Sequence, residues 1–277
     1  MRRPHPTRQH GFTLLEAIIV ITITAIIAAV VAVFIKAPVD GYFASARRAE
    51  LTDIGDTALR RMTRDLRMAL PNSVRVTSTG GSYYLEFLPV LGGGRYRNDT
   101  DPAVPSSDML DFTQSDSSFD VLGPPPTGTA GWVVVYNLGV PGASAYNGDN
   151  ISQISSIRTP VATAGSMDIH IAAKQFPFAS PGNRFQVIGT PVSYVCNPST
   201  GALTRYANYA TPTEATQPTS FSSASSALLA THVSACNITY NSDIIAQQNG
   251  VVAISLQISE SGESVFLYEE AHVSNTP

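Results

Sequence analysis

Charge is scarce in this sequence of 277 residues, of which only 14% are charged and 8% are aromatic. Such values are low for a cytosolic enzyme but ordinary for a β-rich extracytoplasmic domain. After residue 70, only seven Lys and Arg residues stand against fifteen Asp and Glu residues. A nucleic-acid-binding protein needs a basic face, because phosphate neutralisation supplies most of its affinity. The acidity of this region therefore argues against nucleic acid as a partner.

Cysteine is almost lacking, with one residue at position 196 and one at position 236. Neither has a second cysteine at the spacing of metal ligands, which argues against a metal site there. Two interpretations of Cys196 and Cys236 remain, a pair of buried free thiols or one disulfide. An export-type N-terminus favours the disulfide, because export leads to an oxidising compartment. Closing a loop of about 40 residues would stabilise the fold by roughly 4 kcal/mol.

The sequence also lacks the common motifs of catalysis and cofactor binding. It contains no HExxH and no GxSxG, and its five histidines are scattered. The glycines of "LGGGRYR", residues 91–97, are not followed by the Lys-Ser/Thr pair of a phosphate loop, so this stretch is interpreted as a turn. We therefore expect a protein that is not an enzyme and that uses no cofactor.

One loop concentrates oxygen-bearing side chains that could bind a cation. They are Asn98, Asp99, Asp101, Asp108 and Asp111. Calcium takes six to eight oxygen ligands, but the spacing here is not that of an EF-hand. The Asp-Pro and Ser-Ser pairs in the same loop are equally typical of a solvated turn. The turn is the favoured interpretation, no metal site is assigned, and the sequence leaves calcium open.

What the sequence does contain is a long apolar segment near its start. Three arginines in residues 1–11 precede residues 17–35, which carry no charge. This run is longer than the apolar core of a cleavable secretory signal, and no good small-x-small site follows it. It nearly supplies a transmembrane helix, and the preceding arginines predict a cytoplasmic N-terminus. A membrane anchor alone, however, gives no reason for an acid at Glu16.

The residues around Glu16 resemble a known export signal. "GFTLLE", residues 11–16, follows a short basic leader and precedes the apolar run, as in type IV pilins and pseudopilins. In that family a prepilin peptidase cuts after the glycine, and the new N-terminal residue is N-methylated. The resemblance implies cleavage between Gly11 and Phe12, N-methylation of Phe12, and Glu16 as the fifth residue of the mature chain.

Two roles are open for Glu16. A carboxylate in the bilayer costs about 2.5–3.5 kcal/mol on insertion scales, so a partner of opposite charge would stabilise it. The family mechanism implies that this partner is the new amine of a neighbouring subunit during filament assembly. Alternatively, Glu16 reaches the headgroups at a helix N-terminus, where the helix dipole favours an anion.

The whole chain predicts an α+β fold in which a long N-terminal α-helix packs on an antiparallel β-sheet head, as in the type IV pilin-like fold. Apolar residues at spacings of three and four predict that the helix continues as far as residue 70, with a kink or brief interruption at Pro38 and Gly41. The predicted divisions are a leader at 1–11, a transmembrane and polymerisation helix at 12–36, an amphipathic helix at 37–70 and a β-rich periplasmic head at 71–277.

Short strands and turns account for the head. "VRVTS" and "YYLEFLP" (74–78 and 83–89) predict a hairpin, as does the stretch 251–273 around a turn at 259–263. The turn "NPSTG" (197–201) is predicted to connect one strand to the next, "ALTRY" (202–206). "GWVVVYNLG" (131–139) is predicted to be an apolar strand. Three looser stretches are predicted to be surface loops, at 98–108, 123–131 and 211–226.

Three distal segments refine the resemblance. "GGGRYR" (92–97), "VSYVCNPSTGALTRY" (192–206) and "EEAHVSNTP" (269–277) are similar to MSHA-type minor pilins of the MshO kind. Those proteins resemble in turn PilW-type minor pilins and the J-type minor pseudopilin of type II secretion. The length also favours a minor subunit, because major pilins are usually much shorter.

The expected function is therefore structural, that of a minor subunit which takes part in the initiation or forms the tip of a type IV pilus of the MSHA type. A J-like pseudopilin and a tip adhesin that binds a surface ligand are the alternatives. The expected partners are other major and minor pilin subunits, the prepilin peptidase, inner-membrane lipid and the pilus assembly platform. The expected location is the bacterial inner membrane, with the head in the periplasm, and later the filament.

Overall fold

The computed structural model describes residues 11–127, 130–159, 165–241 and 249–277. It contains one α-helix, α1 (Leu14–Leu66), among these residues. The helix is continuous through Pro38 and Gly41, so of the kink or brief interruption predicted there, the interruption is wrong. A proline removes one backbone hydrogen bond from a helix, and the turns on either side maintain the helical conformation here.

The helix ends at Leu66, four residues before the predicted end at residue 70. The amides of Met68 and Ala69 donate to carbonyls three residues earlier, which tightens the last turn. The amide of Leu70 then donates to the carbonyl of Leu88 at 2.8 Å. The backbone at residue 70 is therefore already bonded to the sheet region, and it cannot continue the helical ladder.

Fourteen strands follow the helix among the residues that the structure describes. They are β1 (Arg75–Thr79), β2 (Ser82–Phe87), β3 (Val90–Tyr96), β4 (Asp116–Leu122), β5 (Trp132–Val134), β6 (Ile151–Arg158), β7 (Met167–Lys174), β8 (Arg184–Ile188), β9 (Val192–Asn197), β10 (Ala202–Ala207), β11 (Ser225–Ala230), β12 (Val233–Tyr240), β13 (Asn249–Glu260) and β14 (Glu263–Ser274). Their pairings are antiparallel, and the α+β prediction is confirmed.

The strands form three sheets. A five-stranded sheet has the order β1-β2-β9-β10-β11, and a three-stranded sheet has the order β12-β13-β14. The remaining six strands close into a barrel in the order β3-β4-β7-β6-β5-β8. The predicted hairpins β1–β2, β9–β10 and β13–β14 are confirmed, whereas the description of the head as one sheet was incomplete.

The barrel is inserted between two paired strands of the five-stranded sheet. Strand β2 pairs with β9, with Tyr83 opposite Cys196, although the chain leaves the sheet after β2 and returns only at β9. The barrel has its own core, which includes Tyr96, Phe119 and Phe185. A third apolar cluster lies where the chain enters and leaves the barrel. It includes Leu88, between β2 and β3, and Ile188, the last residue of β8.

One prediction within the barrel is wrong, and another is confirmed only in part. The stretch "GGGRYR" was expected to be a turn, but it lies in β3, because its glycines permit close packing. A Cβ on Gly92 would lie 1.9 Å from the carbonyl oxygen of Thr127, and one on Gly94 would lie 3.1 Å from the Phe185 ring. The apolar strand predicted at 131–139 is only three residues long, since Tyr136 adopts a left-handed conformation with φ of 52°.

The chain divides into two compact units, Met1–Glu50 and Leu51–Pro277. Within the second unit, one face of the last turns of α1 packs on the sheets, through Leu51, Ala58, Leu59, Met62 and Leu66. Gly55 belongs to the same face, and a Cβ there would lie 2.3 Å from the Leu267 side chain. The spacing of three and four predicted this buried face correctly.

Candidate functional site

The N-terminus of α1 is closed by three hydrogen bonds between Thr13 and Glu16, which run in both directions. The backbone amide of Thr13 donates to Oε2 of Glu16 at 3.0 Å, and the Thr13 hydroxyl donates to the same oxygen at 2.9 Å. In return, the amide of Glu16 donates to the Thr13 hydroxyl oxygen at 3.2 Å. This is a capping box, in which Thr13 is the N-cap residue and Glu16 is the third helical residue.

The cap fixes where the Glu16 carboxylate lies. Its side chain turns back towards the start of the helix, and both bonds from Thr13 fall on Oε2. Oxygen Oε1 is therefore not used by Thr13, and a second donor could bond to it. Glu16 was predicted from the sequence as a functional residue and Thr13 was not, although the Thr-x-x-Glu spacing is the recognised signature of this cap.

The proposed cleavage site precedes the cap in a non-helical, exposed segment. Gly11 and Phe12 lie before the first helical residue, and the Phe12 side chain is 74% exposed. A Cβ on Gly11 would have nothing within 4 Å, so the fold itself does not require glycine there. Cleavage at Gly11 and methylation of Phe12 remain predictions from the motif.

The first part of α1 presents an apolar surface. An 18-residue stretch is long and apolar enough to cross a membrane, and none of it is buried. The hydroxyls of Thr22 and Thr24 donate to the carbonyls of Ile18 and Val20, each at 2.7 Å. Internal bonding of this kind lets a polar side chain sit in lipid, where water is not available.

A comparison with protein families matches the prokaryotic N-terminal methylation motif to residues 6–32. No curated protein and no solved structure matches the chain. The chain therefore carries a type IV pilin-like prepilin signal, which indicates a type IV pilin-like or pseudopilin protein. The motif implies processing by a prepilin peptidase and association with pilin or pseudopilin assemblies, and it is consistent with a single-pass inner-membrane protein.

The two cysteines form a disulfide that connects two sheets. Cys196 lies in β9 of the five-stranded sheet, Cys236 lies in β12 of the three-stranded sheet, and their Cα atoms are 6.5 Å apart. Cys196 is buried in the core between α1 and the sheets, and Cys236 packs against that core. The bond therefore cross-links the two sheets on which the last turns of α1 pack.

A partly buried polar network fixes the end of the helix to the sheet. The Tyr194 hydroxyl donates to Oδ2 of Asp65 at 2.7 Å, and Arg205 donates to the same oxygen at 3.1 Å. Arg61 donates to the other carboxylate oxygen of Asp65 at 3.2 Å. Burial raises the pKa of the Tyr194 hydroxyl, and its hydrogen bond to the Asp65 carboxylate raises it further. Asp65, Tyr194 and Arg205 were not singled out from the sequence.

A fully buried carboxylate lies within the five-stranded sheet. Glu86 in β2 is fully buried, and it accepts hydrogen bonds from Arg75 at 2.8 Å and from the Tyr209 hydroxyl at 2.8 Å. Arg75 also lies over the ring of Tyr146, 3.7 Å from its centroid. Tyr146 donates to the carbonyl of Ser73 at 2.9 Å. This network stabilises the region where the chain leaves α1 and enters the sheet.

The loop considered for calcium uses its carboxylates in local turns. Asp99 accepts from the amide of Thr100, Asp101 from that of Ala103, and Asp111 from that of Thr113. Asp108 is engaged separately, since it accepts from the Ser118 hydroxyl at 2.5 Å. No group of three or more potential metal-ligating side chains occurs among the residues that the structure describes. The geometry favours the interpretation of this loop as a turn.

Proposed function

We propose that this protein is a minor structural subunit that takes part in the initiation of, or forms the tip of, a type IV pilus of the MSHA type. The observation that carries the proposal is the prepilin signal joined directly to an exposed apolar helix. Such a segment serves first as a membrane anchor and later as the packing surface between subunits. The role is structural and requires neither catalysis nor a cofactor.

The proposed sequence of events begins in the inner membrane, with the head in the periplasm. Removal of the leader after Gly11 creates a positive amine at Phe12, one turn from Glu16. When the subunit enters a filament, the apolar part of α1 exchanges lipid for neighbouring helices. Oxygen Oε1 of Glu16, which Thr13 does not use, is then available to the amine of a neighbouring subunit.

The inserted barrel supports a position at the tip. It adds a second core to the head between paired strands β2 and β9, beyond the sheets that bury the helix. A subunit within the filament wall is surrounded by copies above and below, whereas the tip subunit has none above it. Extra bulk in the head is therefore best tolerated at the tip, and the distal segments similar to MSHA-type minor pilins favour the same system.

Two tests separate this proposal from its rivals. Deletion of the gene should reduce the number of pili per cell, and wild-type protein supplied in trans should restore it. Immunogold labelling of the head should mark filament ends and not filament walls. Normal piliation with impaired protein secretion would instead support the J-like pseudopilin, whereas normal piliation with loss of adherence would support an adhesin alone.

A further inference from the structure

Two arginines on the outer surface of the barrel face the same side at the same level. Arg95 in β3 and Arg184 in β8 are direct partners in the antiparallel register, and both are exposed. Direct partners in an antiparallel pair project to the same face, with Cβ atoms about 5 Å apart. Their neighbours Tyr96 and Phe185 are buried in the barrel core, so the arginines point outwards.

Nothing in the described part of the chain neutralises these two charges. Three other arginines of the head form salt bridges with acids. These are Arg75 with Glu86, Arg97 with Asp120 and Arg205 with Asp65. No hydrogen bond or ion pair joins the side chain of Arg95 or of Arg184 to another described residue, and only their backbones pair in the sheet. Like charges directly opposite each other on neighbouring strands destabilise a sheet. Acids are about twice as numerous as bases after residue 70, yet none of the described acids pairs with these two arginines. A bound anion would remove the repulsion between them.

The two arginines line a groove on the barrel surface. Its volume is about 740 Å³, within the range of small-molecule sites, and its lining includes Gly93, Gly94, Leu122 and the prolines at 124–126. Gly93 projects no side chain from its strand, so part of the floor is bare backbone. The loop 123–127 returns over β3, where the Thr127 hydroxyl donates to the carbonyl of Leu91 at 3.1 Å. This bond holds the proline wall in place.

We propose that this groove binds a ligand that carries an oxyanion, a carboxylate or a phosphate, attached to an apolar group. Both guanidinium groups hold the oxyanion, because arginine donates two parallel hydrogen bonds to such groups. The apolar part lies against Leu122 and the proline wall. The site is independent of the filament-assembly role.

The test uses the full-length protein in a non-ionic detergent and isothermal titration calorimetry. Benzoate and phenyl phosphate present the two oxyanions on the same apolar ring, and benzyl alcohol is the uncharged control. We expect saturable binding of at least one anion, weakened by raising the salt concentration, and no saturable binding of benzyl alcohol. Benzoate alone would identify a carboxylate site, and phenyl phosphate alone a phosphate site.

Variants separate the groove from general surface charge. Arg95→Ala and Arg184→Ala should each weaken binding of the anion about tenfold or more, the loss expected for a charged hydrogen bond. Arg158→Ala removes an exposed arginine of β6 that does not line the groove, and it should bind as the wild type does. Both groove variants should keep or raise the midpoint of thermal unfolding, because each relieves the repulsion between the two arginines.

Several results would overturn the proposal. These are no saturable binding of either anion, equal binding of benzyl alcohol, or an equal loss in Arg158→Ala. A fall in the unfolding midpoint of Arg184→Ala, with anion affinity unchanged, would assign that side chain a purely structural role and also contradict the proposal.

Discussion

Thr13 and Glu16 bond to each other in both directions, the Thr13 amide to the Glu16 carboxylate at 3.0 Å and the Glu16 amide to the Thr13 hydroxyl at 3.2 Å. Glu16 therefore has a structural role within its own chain before it meets any neighbour. A test of its role in assembly must separate its negative charge from its hydrogen bond to the cap.

The cap itself predicts a local effect. Thr13→Ala should loosen the first turn of α1, because loss of an N-cap side chain costs about 1 kcal/mol. Amide hydrogen exchange at Glu16 should then be roughly fivefold faster in the variant, with exchange in the middle of the helix unchanged. Equal exchange rates at Glu16 in the two proteins would show that the Thr13 hydroxyl does not hold this turn.

Cleavage by a prepilin peptidase after Gly11 should depend on the small size of this residue. Gly11→Val should leave uncleaved precursor in the membrane, because the residue donated to the peptidase site has to be small. The fold offers no competing explanation, since a side chain at Gly11 meets nothing within 4 Å. Mass spectrometry of the membrane fraction distinguishes precursor from mature chain. Mature protein in normal amounts from this variant would refute cleavage after Gly11.

The disulfide predicts a redox-dependent stability. Cys236→Ser and Cys196→Ser should each lower the free energy of unfolding by about 2–5 kcal/mol, the usual loss for a native disulfide. Cys236 is the cleaner site, because Cys196 is more deeply buried and a serine there also places a hydroxyl in the core. Denaturation with and without reductant provides the control. Reductant should weaken the wild type and leave both variants unchanged, and an unaffected wild type would contradict the prediction.

The raised pKa of Tyr194 should make the fold less stable at alkaline pH. Its pKa is raised above the unfolded value of about 10, so the native state keeps a proton that the unfolded state releases. The stability from this group is fully present below about pH 10 and is lost as the pH rises further. Tyr194→Phe should be less stable at neutral pH and lose stability less steeply above pH 10, measured by near-ultraviolet circular dichroism. An unchanged slope would remove Tyr194 from the alkaline transition.

Much of the fold could be predicted because its signals are local. The Gly-Phe-Thr-Leu-Leu-Glu stretch specifies the signal, and the hairpin of β13 and β14 follows from alternating apolar residues around Ser261 and Gly262, both with positive φ. The buried face of α1 from Leu51 to Leu66 follows from its helical spacing. Each of these patterns is complete within a short stretch of chain.

The barrel could not be predicted, because its signals are not local. Strands β2 and β9 pair across the whole insertion, and barrel neighbours such as β3 and β8 are far apart in sequence. Glycine is ambiguous as well, since it serves both tight turns and close backbone approaches. The three glycines of β3 were assigned to a tight turn, whereas Gly92 and Gly94 permit close approach of neighbouring atoms. The facing arginines Arg95 and Arg184 become visible only once that register is known.

In the proposed assembly mechanism, the charge of Glu16 pairs with a neighbour's amine. Glu16→Gln is the most informative variant, because glutamine also forms a capping box but carries no charge. Glu16→Leu removes both features, and Thr13→Ala removes the threonine side chain of the cap while leaving the charge. An unpaired buried charge costs about 3–5 kcal/mol, enough to change incorporation by orders of magnitude.

The measurement is the distribution of each variant between the membrane and sheared filaments, with pilus counts on the same cells. All three should be exported, cleaved and held in the membrane. Glu16→Gln and Glu16→Leu should be lost from filaments or fail to initiate them, whereas Thr13→Ala should be incorporated. Wild-type incorporation and wild-type pilus counts for Glu16→Gln would contradict it and leave Glu16 as a helix cap alone.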